Sequence, residues 1–120
     1  MATTHDRPVS LSSRAELQDL VTENRRVLVE FYTEGCGKCA ALEPVLSGVA
    51  QTTDVVVATM NPRDDPGLIE EYDVRSVPKL LLFVDGDLTR TREGDVLSVD
   101  EVRAFVADEK AQETASGGDA

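Results

Sequence analysis

Tryptophan is absent from this 120-residue chain, and two tyrosines and three phenylalanines hold the aromatic content to 4%. A core must therefore be assembled from Val, Leu, Ile and Ala, which suits a sheet covered by helices. Histidine occurs once, at His5 in a polar N-terminal stretch. A zinc centre, which takes about four ligands, would have to borrow carboxylates or a second chain. Lysine occurs only at Lys38, Lys79 and Lys110, against 23 Asp plus Glu and a formal net charge of -11. There is no basic patch, and nucleic acid or an anionic membrane would be repelled. No apolar run approaches membrane-spanning length. Met1 to Pro8 has no apolar core of a secretory signal, so the expected address is the cytoplasm. The acidic excess has two readings: adaptation to a cytoplasm of high ionic strength, or ordinary solubility with part of the charge in flexible tails. The first is the expectation.

What is present is one domain's worth of chain, 41% hydrophobic, with two cysteines placed where a strand runs into a helix. In Val27 to Cys39, VLVEFYTEGCGKC, Cys36 and Cys39 stand three apart at a helix start, on one face and within bridging distance. Free N–H groups and the dipole at a helix N-terminus favour a thiolate there, and the thiolate is the reactive form. Cys36 is therefore the expected nucleophile and Cys39 the resolving thiol. Gly35 and Gly37 leave room beside Cys36 for another protein's backbone. In a reducing compartment such a pair points to catalysis. Half of a zinc site and an inert buried pair stay open as alternatives.

The rest of the chain reads as support. Val9 to Leu11 suits a short edge strand; Ser13 with Glu16 has capping-box spacing, followed by a helix ending near Asn24. Val27 to Thr33 reads as a buried strand except for Glu30, which shares a face with Leu28 and Tyr32. An acid in an apolar run must be held neutral or meet a partner, unless the strand is an edge with one solvated face. Pro44 interrupts the helix after the cysteines and withholds a hydrogen bond from the Ala40 carbonyl, predicting a kink. Val55 to Met60 is a further apolar run, Asn61 to Gly67 a turn-rich loop, and a short helix carries Leu68, Ile69 and Tyr72. Pro78 opens the strand Lys79 to Val84, a position that suits a cis peptide. Asp85-Gly86-Asp87 reads as a hairpin turn into Leu88 to Glu93, Gly94 as a bend, and Ser98 with Glu101 as the cap of a last helix ending near Lys110. The expected organisation is a tail over residues 1–8, a domain over 9–110 and a disordered tail over 111–120. The fold class is α/β, with a mixed sheet.

These features, in this order, resemble the thioredoxin family over roughly Val9 to Lys110. VLVEFYTEGCGKC is similar to its strand and active-site turn, Pro44 to its helix kink, VRSVPKLLLFVDGD to its cis-proline loop and hairpin, and Gly94 to its late glycine. The resemblance implies a central mixed sheet flanked by four helices and a protein dithiol–disulfide oxidoreductase. It would be a reductant of client-protein disulfides, re-reduced by a thioredoxin reductase, monomeric, with no metal or organic cofactor. It places Val77 and cis-Pro78 beside the sulfurs, where their backbone would pair with an extended client segment. Glu30 falls where the family carries a buried acid, which implies a proton acceptor for Cys39. Substrate contacts would come from Gly35, Gly37, Lys38, Val77, Pro78 and Gly94.

The departures are specific. Lys38 stands where the family's usual CGPC has proline; it either favours the Cys36 thiolate or is simply solvated. Gly35 replaces a customary Trp, and Tyr32 stands at another. Thr59 appears in place of the buried acid's usual lysine neighbour, and Lys79 follows Pro78, either as a substitute partner for Glu30 or as a solvent-facing side chain. The missing tryptophans keep open a non-catalytic binding module or chaperone subunit that holds a partner through Val77 and Pro78. A dimer bridged by zinc through paired CxxC motifs is a third reading.

Overall fold

In a computed structural model, residues 6–107 are described. The elements are β1 (Val9–Leu11), α1 (Arg14–Glu23), β2 (Arg26–Phe31), α2 (Gly37–Thr52), β3 (Val56–Met60), a 3-10 turn (Pro62–Asp64), α3 (Gly67–Glu71), β4 (Lys79–Val84), β5 (Asp87–Glu93) and α4 (Val99–Ala107). The five strands form one sheet in the order β1-β3-β2-β4-β5. β3 lies parallel to β1 and β2, while β4 runs antiparallel to β2 and β5. The expected mixed sheet with four helices is what forms. The expected helix end near Lys110, the tail over 111–120 and residues 1–5 of the N-terminal tail lie outside the described residues.

Strand alternation sorts the core into two layers. Leu28, Leu80 and Leu82 pack with Leu42, Leu46 and Val49 of α2 and with Val102 and Phe105 of α4. Val27, Val29, Phe31, Leu81 and Phe83 face the other way, onto Leu17 and Val21 of α1 and Leu68 of α3. β2 and β4 are covered on both faces, which is why they read as near-continuous apolar runs. β2 is the middle strand of the sheet, so the edge-strand explanation of Glu30 does not hold.

Both caps form. Ser13 Oγ accepts from the Glu16 N–H at 3.1 Å, although the Glu16 carboxylate reaches back to the Ser12 N–H at 2.7 Å rather than to Ser13. At α4 the box is reciprocal: the Glu101 N–H donates to Ser98 Oγ at 3.1 Å and the Ser98 N–H to Glu101 Oε1 at 2.8 Å. The hairpin turns on Asp85 and Gly86, with φ of 53° and 85°, the two positive values of a type I′ turn. Beyond the turn the pairing slips by one residue between Leu82 and Phe83, leaving Thr89 unpaired in β5; its hydroxyl donates to the Leu82 carbonyl at 3.0 Å.

Candidate active site

β2 ends at Phe31, and five residues carry the chain to the first turn of α2. Gly35 has φ of +79° with open space where a Cβ would stand, so the backbone conformation, not crowding, favours glycine there. Cys36 is the N-cap of α2, its sulfur accepting from the Cys39 N–H at 3.1 Å. The two cysteines form a disulfide with a Cα–Cα separation of 5.2 Å. They differ in exposure: Cys36 is half-buried, Cys39 only 4% exposed. An incoming group therefore meets Cys36 first. Pro44 sits inside α2, which continues past it to Thr52.

A second loop closes on the first. The Val77–Pro78 peptide is cis, and the Val77 carbonyl oxygen lies 4.0 Å from Cys36 Sγ. Gly94, at φ +89°, donates its N–H to the Pro78 carbonyl at 2.8 Å. A Cβ at position 94 would stand 3.6 Å from Ser76 Oγ and would strain the backbone, so glycine holds β5's end against the proline loop. Lys38 is exposed, and its ammonium donates to the Gly94 carbonyl at 3.2 Å. The turn holding the cysteines and the loop holding Pro78 are thus tied through Gly94. Gly35, Gly37 and Lys38 lie at the cysteine turn and the start of α2, Val77 and Pro78 in the second loop, and Gly94 just past the end of β5.

Glu30, one residue before the end of β2, is 1% exposed, and its Oε2 has no hydrogen-bond partner among the described residues. It lines an open cleft of about 300 Å³ together with Tyr32, Glu43 and Thr59. Thr59 is its cross-strand neighbour on β3 and supplies no charge. Burial first, and then the charge of Glu43, push the Glu30 carboxyl up to about 8. Glu43, exposed on α2, follows Cys39 by four residues and so shares its face of the helix. It was not among the sequence-derived candidates, although that spacing from the buried cysteine was visible. Lys79 is not the partner of Glu30. In β4 it pairs with Phe31, while Glu30 pairs with Leu80, so strand alternation sends the two side chains to opposite faces. Nor does Lys79 point to solvent: it is 7% exposed.

Among the described residues no group of three or more His, Cys, Asp and Glu is placed to hold a metal ion, and no helix is long and apolar enough to cross a membrane.

A half-exposed sulfur capping a helix, bonded to a buried sulfur one turn on and faced by a cis-proline loop, defines the class: a protein dithiol–disulfide oxidoreductase. A family model described as Thioredoxin matches residues 8–108, and the chain belongs to the thioredoxin family. Thioredoxin from Mycoplasmoides gallisepticum is 33% identical over 85 residues, 70% of this chain and 85% of that one. Protein disulfide isomerase-like 1-4 from Oryza sativa is 35% identical over 83 residues, 65% of this chain but 15% of that protein. Among solved structures, a point mutant of thioredoxin from Halobacterium salinarum superposes with a TM-score of 0.84 at 32% identity, covering 91% of this chain and 96% of that one.

Proposed function

We propose that this protein reduces disulfides of client proteins in a reducing compartment, the cytoplasm, and is itself re-reduced by a thioredoxin reductase. The observation that carries this reading is the asymmetry of the two sulfurs, one half-exposed and capped by a backbone N–H, the other buried. Cys36, as thiolate, attacks one client sulfur; the client's disulfide breaks, its other sulfur leaves as a thiolate that takes up a proton, and a mixed disulfide forms. Cys39 loses its proton and attacks Cys36 Sγ, forming the Cys36–Cys39 bond and releasing the client thiolate, which takes up a proton. Glu30 accepts the Cys39 proton through water in the cleft when its carboxyl is ionised, and the ionised fraction grows as pH approaches 8. Burial raises its carboxyl to about 8, near enough to neutral pH for the group both to take up and to release a proton there. The Val77 and Pro78 backbone receives the client as an added strand.

Lys38 bears on the direction of exchange. Its anchorage on Gly94 keeps a cation at the rim of the cysteine turn, where it favours the Cys36 thiolate and hence the reduced form. One unit of lowered thiol pKa raises the two-electron potential by roughly 30 mV. A redox titration of the Cys36–Cys39 pair, read by thiol alkylation and mass, is expected to give a reversible midpoint at or below the cytosolic glutathione poise. Lys38→Pro is expected to lower it by roughly that increment. A clearly more oxidising midpoint overturns the reductant reading, and equal potentials for the two proteins remove Lys38 from it.

The acidic composition is proposed to serve stability at high ionic strength, where salt screens self-repulsion. The unfolding midpoint is expected to rise between dilute and multimolar KCl; a flat or falling midpoint rejects the idea.

A further inference from the structure

Lys79 is the only charged residue in β4, a strand buried along its whole length, and the exchange chemistry gives it no task. Its ammonium donates to the Tyr72 carbonyl at 2.9 Å and to the Asp73 carbonyl at 3.0 Å, and lies 3.4 Å from Glu93 Oε2. Two backbone carbonyls accept its hydrogen bonds and a carboxylate stands at ion-pair distance, so the buried cation is well partnered. The two carbonyls follow directly on α3, whose C-terminal end carries partial negative charge. Glu93 Oε2 also accepts the Arg75 N–H at 3.5 Å. The Tyr72 ring packs edge-on between Phe31 and Phe83, with centroids 5.8 and 6.1 Å away, so the anchored backbone is itself held to the core.

The segment from Tyr72 to Pro78 contains no helix or strand and has no ladder to order it. It is nonetheless fixed at Tyr72 and Asp73 by Lys79, at Arg75 by Glu93 and at Pro78 by the Gly94 N–H. Between these points lie Ser76 and Val77, whose carbonyl stands beside Cys36.

Register makes the pair possible. Counted straight from the Asp85–Gly86 turn, the hairpin would set Arg92 opposite Lys79, two cations face to face. The slip at Thr89 moves β5 by one residue, so that Glu93 stands opposite instead. Burying an ion pair adds little to stability compared with an apolar residue of similar size, so stability alone does not account for a lysine here.

We propose that Lys79 and Glu93 are positioning residues for client recognition: together they hold residues 73–78 in the conformation that receives an extended segment of a protein disulfide. This rests on the Val77–Pro78 edge being the docking site, as read above. An edge ordered beforehand loses less freedom when a client binds.

The test compares oxidised insulin, a protein disulfide that needs the edge, with dithiobis-nitrobenzoate, a small disulfide that does not. Lys79→Met and Glu93→Ala are expected to raise the KM for insulin about fivefold to tenfold, as the ordering cost moves into binding. The kcat, the rate with the small disulfide and the reduction potential stay as in the wild type. Glu93→Gln, which keeps an acceptor for the Arg75 N–H, is expected to stay within about twofold. A role confined to stability would lower the Tm and leave the KM ratio of the two substrates unmoved, and that result overturns the proposal. So does an equal loss with both substrates. Should Lys79→Met fail to fold, Glu93→Ala decides by the same ratio. Val77→Asp separates the two layers of the argument. A raised insulin KM there with normal Lys79→Met and Glu93→Ala rejects the clamp alone, whereas an unchanged KM rejects the docking edge itself and the proposal with it.

Discussion

Replacing Cys36 with serine is expected to abolish turnover of a disulfide-bonded protein in the presence of a thioredoxin reductase, by at least about a thousandfold, because an alcohol is not appreciably ionised at neutral pH. Cys39→Ser is expected to behave differently. Its Cys36 still attacks, but nothing resolves the product, so a covalent complex with the client accumulates that dithiothreitol dissolves. The contrast follows from exposure, since the half-buried Cys36 meets the client while Cys39 waits beneath it. It follows also from the Cys39 N–H pointing at Cys36 Sγ, a bond that gains strength when the sulfur is charged. Mass spectrometry of the trapped species under non-reducing conditions is decisive. A mixed disulfide that forms through Cys39 in the Cys36→Ser protein would reverse the assignment.

The second large effect is expected at Glu30. Its carboxyl is raised from 4.5 to about 8, chiefly by burial, so between those values the folded state holds a proton that the unfolded state releases. Stability linked to this group is full below about pH 4.5, falls as pH rises and levels off above about 8. At about 1.4 kcal/mol per pKa unit the loss is on the order of a few kcal/mol. Glu30→Gln removes the ionisation, so the variant is expected to gain on the wild type steadily across that window and to be the more stable protein at alkaline pH. Denaturant unfolding of both proteins from pH 5 to 9 measures the difference directly, with the other acidic groups common to both. The same substitution is expected to slow resolution of the mixed disulfide on the order of a hundredfold and to flatten the rise of that rate with pH near 8. Parallel stability profiles would show that the carboxyl is not buried in its charged form. Unchanged single-turnover resolution would remove Glu30 from the mechanism.

The sites differ in how far they could be read from residues. Cys36, Cys39 and Pro78 were legible because local chemistry marks them: a pair three apart at a helix start, and a proline at the mouth of an apolar strand. Glu30 was legible as a conflict, an acid in a strand whose neighbours are all apolar. Glu43 was not, because on its own helix it is an ordinary exposed carboxylate. Only the packing of α2 over β2 brings it to the cleft that Glu30 lines. Lys79 was legible as an anomaly and wrongly placed, since neither candidate destination, Glu30 or solvent, is where its ammonium goes.

The sequence by itself determined the elements and their order: the two serine caps, the type I′ turn at Asp85–Gly86, the buried β2 and β4, and the cysteine turn. Each depends on residues within a few positions of one another, where propensity and periodicity act directly. Tertiary structure alone decided which charges meet. A single unpaired residue, Thr89, sets whether Arg92 or Glu93 faces Lys79. The pairing of Leu80, not Lys79, with Glu30 decides that Lys79 does not stand beside the buried acid. A one-residue change of register exchanges the faces of a strand, and that change is fixed by long-range pairing.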